Sequence, residues 1–258
     1  MTAAFRDLNG DGSPDLYVCN DYWTPDRLWL NDGSGRFRAV DSLAVRRISA
    51  SSMGVDFADL NHDGHPDIFA VDMLSRSAEL RKRQMVAKRL TSPHPGSFQA
   101  RVQTPQNTLL LNRGDGTFAE IACLAGLQAS DWSWSPLFLD ADLDGHEDVF
   151  LSQNFFAFRG EESRLDAGRG LWLRGDGKGN LAPVPGQISG IKVYGEQRGA
   201  ALADFNHDGR IDLLVSQNAA PTRLYQNVLA RPGLRVRLVG PANNPDGVGA
   251  VLRLRYGQ

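Results

Sequence analysis

The stretch FLDADLDGHEDVFL, residues 138–151, decides the fold. It places Asp140, Asp142, Asp144 and Asp148 on one short turn, between two apolar runs with the character of strands. Carboxylates crowded in this way repel each other unless something cationic sits among them. The pattern recurs as FRDLNGDGSPDLYV (5–18), FADLNHDGHPDIFA (57–70) and LADFNHDGRIDLLV (202–215). Each copy has the form Asp-x-Asn/Asp-x-Asp-Gly-x-x-Asp, and the first aspartates fall at 7, 59, 140 and 204, a long-period repeat with insertions.

A second pattern trails each loop: RLWLNDGSGRF (27–37), TLLLNRGDGTF (108–118), LWLRGDGKGNL (171–181) and a shorter RLYQN (223–227). Three of these read as a strand, a glycine-rich hairpin turn and the start of another strand. The two patterns together give a unit of strand, acidic loop, strand, connection, strand, tight turn, strand. The chain is therefore predicted to be all-β, a β-propeller with four blades present. A β-sandwich competes, but a sandwich has no reason to repeat the same loop and hairpin in the same order.

The acidic loop reads as a calcium site. Calcium takes six to eight hard oxygen ligands in flexible geometry. Oxygen-bearing side chains occupy positions 1, 3, 5 and 9 of every copy: Asp7, Asn9, Asp11 and Asp15; Asp59, Asn61, Asp63 and Asp67; Asp140, Asp142, Asp144 and Asp148; Asp204, Asn206, Asp208 and Asp212. Position 6 is always glycine, suited to a sharp turn with positive φ. Position 7 varies (Ser13, His65, His146, Arg210), as expected if only its backbone carbonyl faces the ion. Up to four Ca²⁺ ions are expected. Zinc and copper are disfavoured by the lack of sulfur and of an aligned histidine. Position 12 is Val18, Ala70, Leu151 or Val215, so these are not EF-hands. The third loop carries four carboxylates where the others carry three, and is the candidate for the tightest site.

At these residues the chain resembles the FG-GAP/VCBS repeat family, the calcium-binding blades also found in integrin α-subunit propellers. Residues 51–74 and 124–145 are similar to the cartilage acidic protein-like branch. The tail LRVRLVGPANNPDGVGAVLRLRYG (234–257) is similar to the opening of the ASPIC/UnbV domain of that branch. The resemblance implies blades over 1–229, the start of a truncated ASPIC/UnbV-like domain over 230–258, and a fragment of what is usually a seven-bladed propeller. It also implies an extracellular, cell-surface or periplasmic protein with a binding role, whose partner is an unidentified protein or glycan.

The totals agree with a soluble globular chain: 258 residues, 41% hydrophobic and 22% charged. A formal net charge of −2 gives no bias toward nucleic acid, and no apolar run is long enough to insert in a membrane. Cys19 and Cys123 are too few for a disulfide framework, and both read as buried small hydrophobes. An insertion at about 75–90 reads as a basic rim helix. Trp29 and Trp172 read as core, and of Trp132 and Trp134 one faces the core while the other could line a sugar-binding surface. Tyr22 and Trp23 are candidates for an exposed contact. Four histidines (His62, His65, His146, His207) sit at loop positions 4 and 7, where side chains should point to water. No catalytic set can be assembled: DADLDG lies between antiparallel strands rather than after a parallel one, and GDGKG has no helix behind it. The expected function is a non-enzymatic calcium-binding propeller for extracellular binding or adhesion. The competing reading is a polysaccharide lyase-like, carbohydrate-active propeller with structural calcium.

Overall fold

The computed structural model describes residues 2–21, 24–87, 101–153, 169–231, 233–234, 236–250 and 252. Tyr22, Trp23 and the end of the basic insertion from Lys88 lie outside them. The first blade is the antiparallel sheet β1 (Ala3–Arg6), β2 (Asp15–Val18), β3 (Arg27–Asn31) and β4 (Phe37–Ala39). Then β5 (Arg47–Ser49) leads into the second blade: β6 (Gly54–Ala58), β7 (Asp67–Val71), β9 (Thr108–Asn112) and β10 (Phe118–Glu120). Between β7 and β9 lie the helix α1 (Ala78–Ala87) and β8 (Val102–Thr104), which pairs in parallel with β5. The third blade is β11 (Ser133–Leu139), β12 (Asp148–Gln153), β13 (Leu171–Gly175) and β14 (Leu181–Val184). After the short helix α2 (Gly186–Ser189), the fourth has three strands: β15 (Gln197–Ala203), β16 (Asp212–Gln217) and β17 (Arg223–Tyr225). The four sheets stand in a propeller arrangement.

Each acidic loop joins the first two strands of its blade, and each GDG-type turn joins the last two where four are present. Three apolar clusters occupy the three blade junctions. Leu8, Tyr17, Leu28, Val45, Ile48, Ile68 and Leu110 pack between blades 1 and 2. Phe69, Val71, Leu109, Ala122, Leu127, Val149, Leu151 and Leu173 pack between blades 2 and 3. A smaller cluster of Leu139, Phe150, Val193, Leu213 and Val215 joins blades 3 and 4. Strands β7 and β12 are buried on both faces because a blade lies on each side. By contrast β16 alternates, with Leu213 and Val215 turned inward and Leu214 exposed. Gly54 permits close approach of blades 2 and 3, since a Cβ there would stand 2.7 Å from the carbonyl oxygen of Trp134.

Several expectations need correction. Cys19 is buried but Cys123 is exposed, because it lies on the outer side of a turn whose Ala122 and Ala125 face inward. Trp29 and Trp172 are half-buried, and the core is filled by neighbours such as Leu28, Leu171 and Leu173. Arg76 is not a free rim charge; it makes an ion pair with Asp131 at 2.6 Å. Trp132 is the core member of its pair, and half-buried Trp134 carries the Arg198 guanidinium over its ring at 5.5 Å.

Candidate metal centre

The four acidic loops share one backbone design. The position 6 glycines, Gly12, Gly64, Gly145 and Gly209, have φ of 85°, 90°, 89° and 84°, which a Cβ would oppose. In every copy the position 1 carboxylate accepts the N–H of that glycine, at 2.8 Å for Asp7, 2.8 Å for Asp59, 2.9 Å for Asp140 and 3.1 Å for Asp204. The position 5 carboxylate accepts the N–H of position 7. These bonds curl each loop around its own position 1 and position 5 carboxylates.

Position 9 also anchors the loop. Asp15, Asp67, Asp148 and Asp212 are buried. Each accepts one N–H from position 2 of its own loop and one from the end of the blade's third strand: Leu8 and Asn31, Leu60 and Asn112, Ala141 and Gly175, Phe205 and Asn227. This carboxylate therefore pins the loop to the sheet. Trp172 adds its indole N–H to Asp148 at 3.1 Å, which is why that ring stays near the surface. Burial pushes Asp67 and Asp148 up to about 6 and raises Asp15, since each is an anion removed from water.

In the third loop carboxylate oxygens of Asp140, Asp142 and Asp144 lie within 4.8 Å of one another, the one such cluster among the described residues. Asp148 is not part of it. Burial, followed by the like charges of Asp144 and Asp142, raises Asp140. Asp142 itself keeps one oxygen, Oδ1, buried without a hydrogen-bond partner among the described residues. An orphaned anionic oxygen on a residue of this acidic cluster fits a calcium ion, which accepts irregular carboxylate geometry.

The other three loops satisfy themselves differently. The position 3 amide of Asn9, Asn61 and Asn206 donates to the position 5 carboxylate at 2.8, 2.9 and 2.8 Å. This bond is the first cause holding Asp11 and Asp208 below the usual carboxylate range. To offer calcium an oxygen at position 3, these amides must give up that donation. The third loop has no position 3 amide to turn.

Two side chains escaped the sequence reading. Arg174, at the end of β13, reaches Asp142 at 2.6 Å and Asp144 at 3.2 Å and brings positive charge to the most acidic loop. Its equivalents in the other blades are Leu30, Leu111 and Gln226, so the only copy with a fourth carboxylate is also the only copy with a cation there. Aligning the trailing strands would have revealed it. The second is the strand-end asparagine: Asn112 donates to Leu8 O and Asn227 to Ala141 O, tying each blade to the preceding loop.

At positions 4 and 7 the expectation holds in part. His62 and His207 are exposed and His65 and His146 half-buried, while His62 meets His146 at 3.3 Å and Arg210 turns back onto Asp208 at 3.0 Å. The hairpin glycines seat these rings; a Cβ at Gly114 would stand 2.4 Å from His65 Nε2, and one at Gly177 would stand 2.3 Å from His146 Nδ1.

Residues 7–70 match the family model described as FG-GAP-like repeat, a span that holds the first two acidic loops. No curated protein matches the chain. The chain thus contains an FG-GAP-like repeat domain, and the loop geometry of the matched span is repeated in two further blades of the same propeller arrangement.

Proposed function

We propose that this chain is a calcium-stabilised binding module, working outside the cytoplasm and recognising a protein or glycan with a blade face. An FG-GAP-like propeller fits a binding or adhesion role in general, and such repeats are typical of extracellular or surface proteins. No helix among the described residues is long and apolar enough to cross a membrane. The observation that carries the calcium reading is the convergence of Asp140, Asp142 and Asp144, with Asp142 Oδ1 left without a donor. A bound calcium ion would supply positive charge and order to that loop. Asp140, Asp142 and Asp144 would hold it, while Asp148 keeps the loop anchored and Arg174 moves aside. Loops one, two and four would follow with lower affinity, each after its asparagine amide turns. On the same reading the four blades belong to a larger, seven-bladed ring, and residues from 230 onward open an ASPIC/UnbV-like domain.

Thermal unfolding of the chain with calcium and with chelator tests the proposal. The midpoint should rise with calcium, and calorimetric titration should resolve one tighter site that Asp142→Asn and Asp144→Ala each weaken. Equal midpoints in calcium and chelator would overturn it.

A further inference from the structure

We propose that His62 and His146 form a second kind of metal site, one for a borderline transition ion of the zinc, copper or nickel type, across the junction of blades 2 and 3. The two residues are 84 positions apart, yet His62 Nε2 and His146 Nδ1 stand 3.3 Å from each other. Two nitrogens bound at about 2.0–2.1 Å to one tetrahedral ion are separated by roughly 3.3–3.4 Å, so the pair already has the spacing of a chelating edge. The same distance is long for a hydrogen bond between nitrogens, and the rings are tilted at 48° with centroids 5.5 Å apart.

The repeat explains how the pair arises. Position 4 of each loop is left-handed, with φ of 77° at Gly10, 57° at His62, 55° at Leu143 and 62° at His207. At the blade 2–3 junction position 4 of one loop meets position 7 of the next. Equivalent positions at the flanking junctions hold Gly10 with His65 and Leu143 with Arg210, so only this junction carries two imidazoles.

The mount is firmer on the His146 side. Its main-chain N–H donates to Asp144 Oδ1 at 2.9 Å and its ring lies over Gly177, whereas the main-chain N–H of His62 reaches Asp59 O at 3.4 Å. Ligands fixed before binding lose less entropy when the ion arrives. His62 is exposed and His146 half-buried, which leaves the remaining coordination positions open to water. No third histidine, cysteine or carboxylate joins them within 4.8 Å among the described residues. Imidazole favours zinc, copper and nickel, whereas calcium prefers the oxygen cluster of the same loop. The two kinds of ion are thereby sorted to adjacent places, and the nitrogen-bound one would staple blade 2 to blade 3.

The test uses the full chain saturated with calcium and titrated with Zn²⁺ alone. One Zn²⁺ should bind per chain; His62→Ala and His146→Ala should each weaken it by about tenfold or more, and His207→Ala should leave it unchanged. Electron paramagnetic resonance with Cu²⁺ should show two bound imidazole nitrogens in the wild type and one in each single variant. The calcium-induced melting shift, measured in parallel, should survive in all three variants, which shows that they fold and separates this site from the calcium loops. Zn²⁺ affinity that is the same in wild type and His62→Ala, or a copper spectrum without paired nitrogens, would overturn the assignment whatever calcium does.

Discussion

Buried carboxylates give the chain a pH response whose direction depends on calcium. Asp26, Asp67 and Asp148 are shielded from water, with exposures of 1%, 0% and 0%, and each is pushed up from an ordinary 3.8 to about 6. Burial is the first cause in all three. A folded-state value above the unfolded one means that the folded chain holds the proton more tightly. That stabilisation is complete below about pH 3.8 and is lost as pH rises through about 6. At about 1.4 kcal/mol per pH unit, each group accounts for roughly 3 kcal/mol. Calcium-free protein should therefore lose several kcal/mol of stability between pH 4 and 6.5. Saturating calcium holds the loop carboxylates ionised, so the contribution of Asp67 and Asp148 should disappear or reverse, while Asp26, whose partners Tyr17, Asn20 and Ser52 lie outside the loops, keeps its sign. Urea unfolding followed by tryptophan fluorescence, at a series of pH values in chelator and in calcium, measures both slopes. Asp67→Asn cannot titrate and should flatten part of the calcium-free slope. Calcium-free protein whose stability climbs steadily from pH 4 to 6.5 would refute this reasoning.

Removing the Arg174 side chain should cost the calcium-free protein no more than about 1 kcal/mol, because its ion pairs are solvent-exposed, yet tighten calcium binding by up to about fivefold by removing an internal competitor; calorimetric titration of Arg174→Ala decides it. In calcium, Asp144→Ala should lower the melting midpoint more than Asn9→Ala, since it deletes a charged ligand of the converged loop. Phe150→Ala, in a fully buried site between blades 3 and 4, should lose about 3–5 kcal/mol by denaturant titration. Gly54→Ala should lose about 1–3 kcal/mol, because the new methyl group meets backbone of the next blade rather than a side chain that can turn away.

The blades were legible because two local signals, an acidic loop and a glycine turn, recur in fixed order and each has a backbone requirement that few residues meet. The four positive-φ glycines at loop position 6 are where expectation and geometry meet most closely. Side-chain direction was harder to read. Trp172 carries an apolar body in a strand pattern, but the need of Asp148 for a donor draws its indole toward the loop. Cys123 sits in a stretch rich in alanine and leucine that turns before β11, and nothing in its spacing marks the outer side. The parallel pairing of β5 with β8 joins segments more than fifty residues apart and has no local signature. Burial of the position 9 aspartates was equally hidden: nothing in the spacing of the loop shows that both oxygens of this acid accept backbone N–H groups.

Among the described residues no fourth strand lies beside β17, which has a mechanical meaning. Arg223–Tyr225 has one hydrogen-bonded neighbour, Leu224 and Leu214 are 47% and 41% exposed, and a groove of about 700 Å³ lies between this blade and Trp172, Val184 and Ile188. Cooperative opening should start there and travel toward the amino-terminal half, so amide exchange would be fastest along β17, slower in β16 and slowest in β7 and β12. The doubly covered sheets of blades 2 and 3 would be the last part to melt.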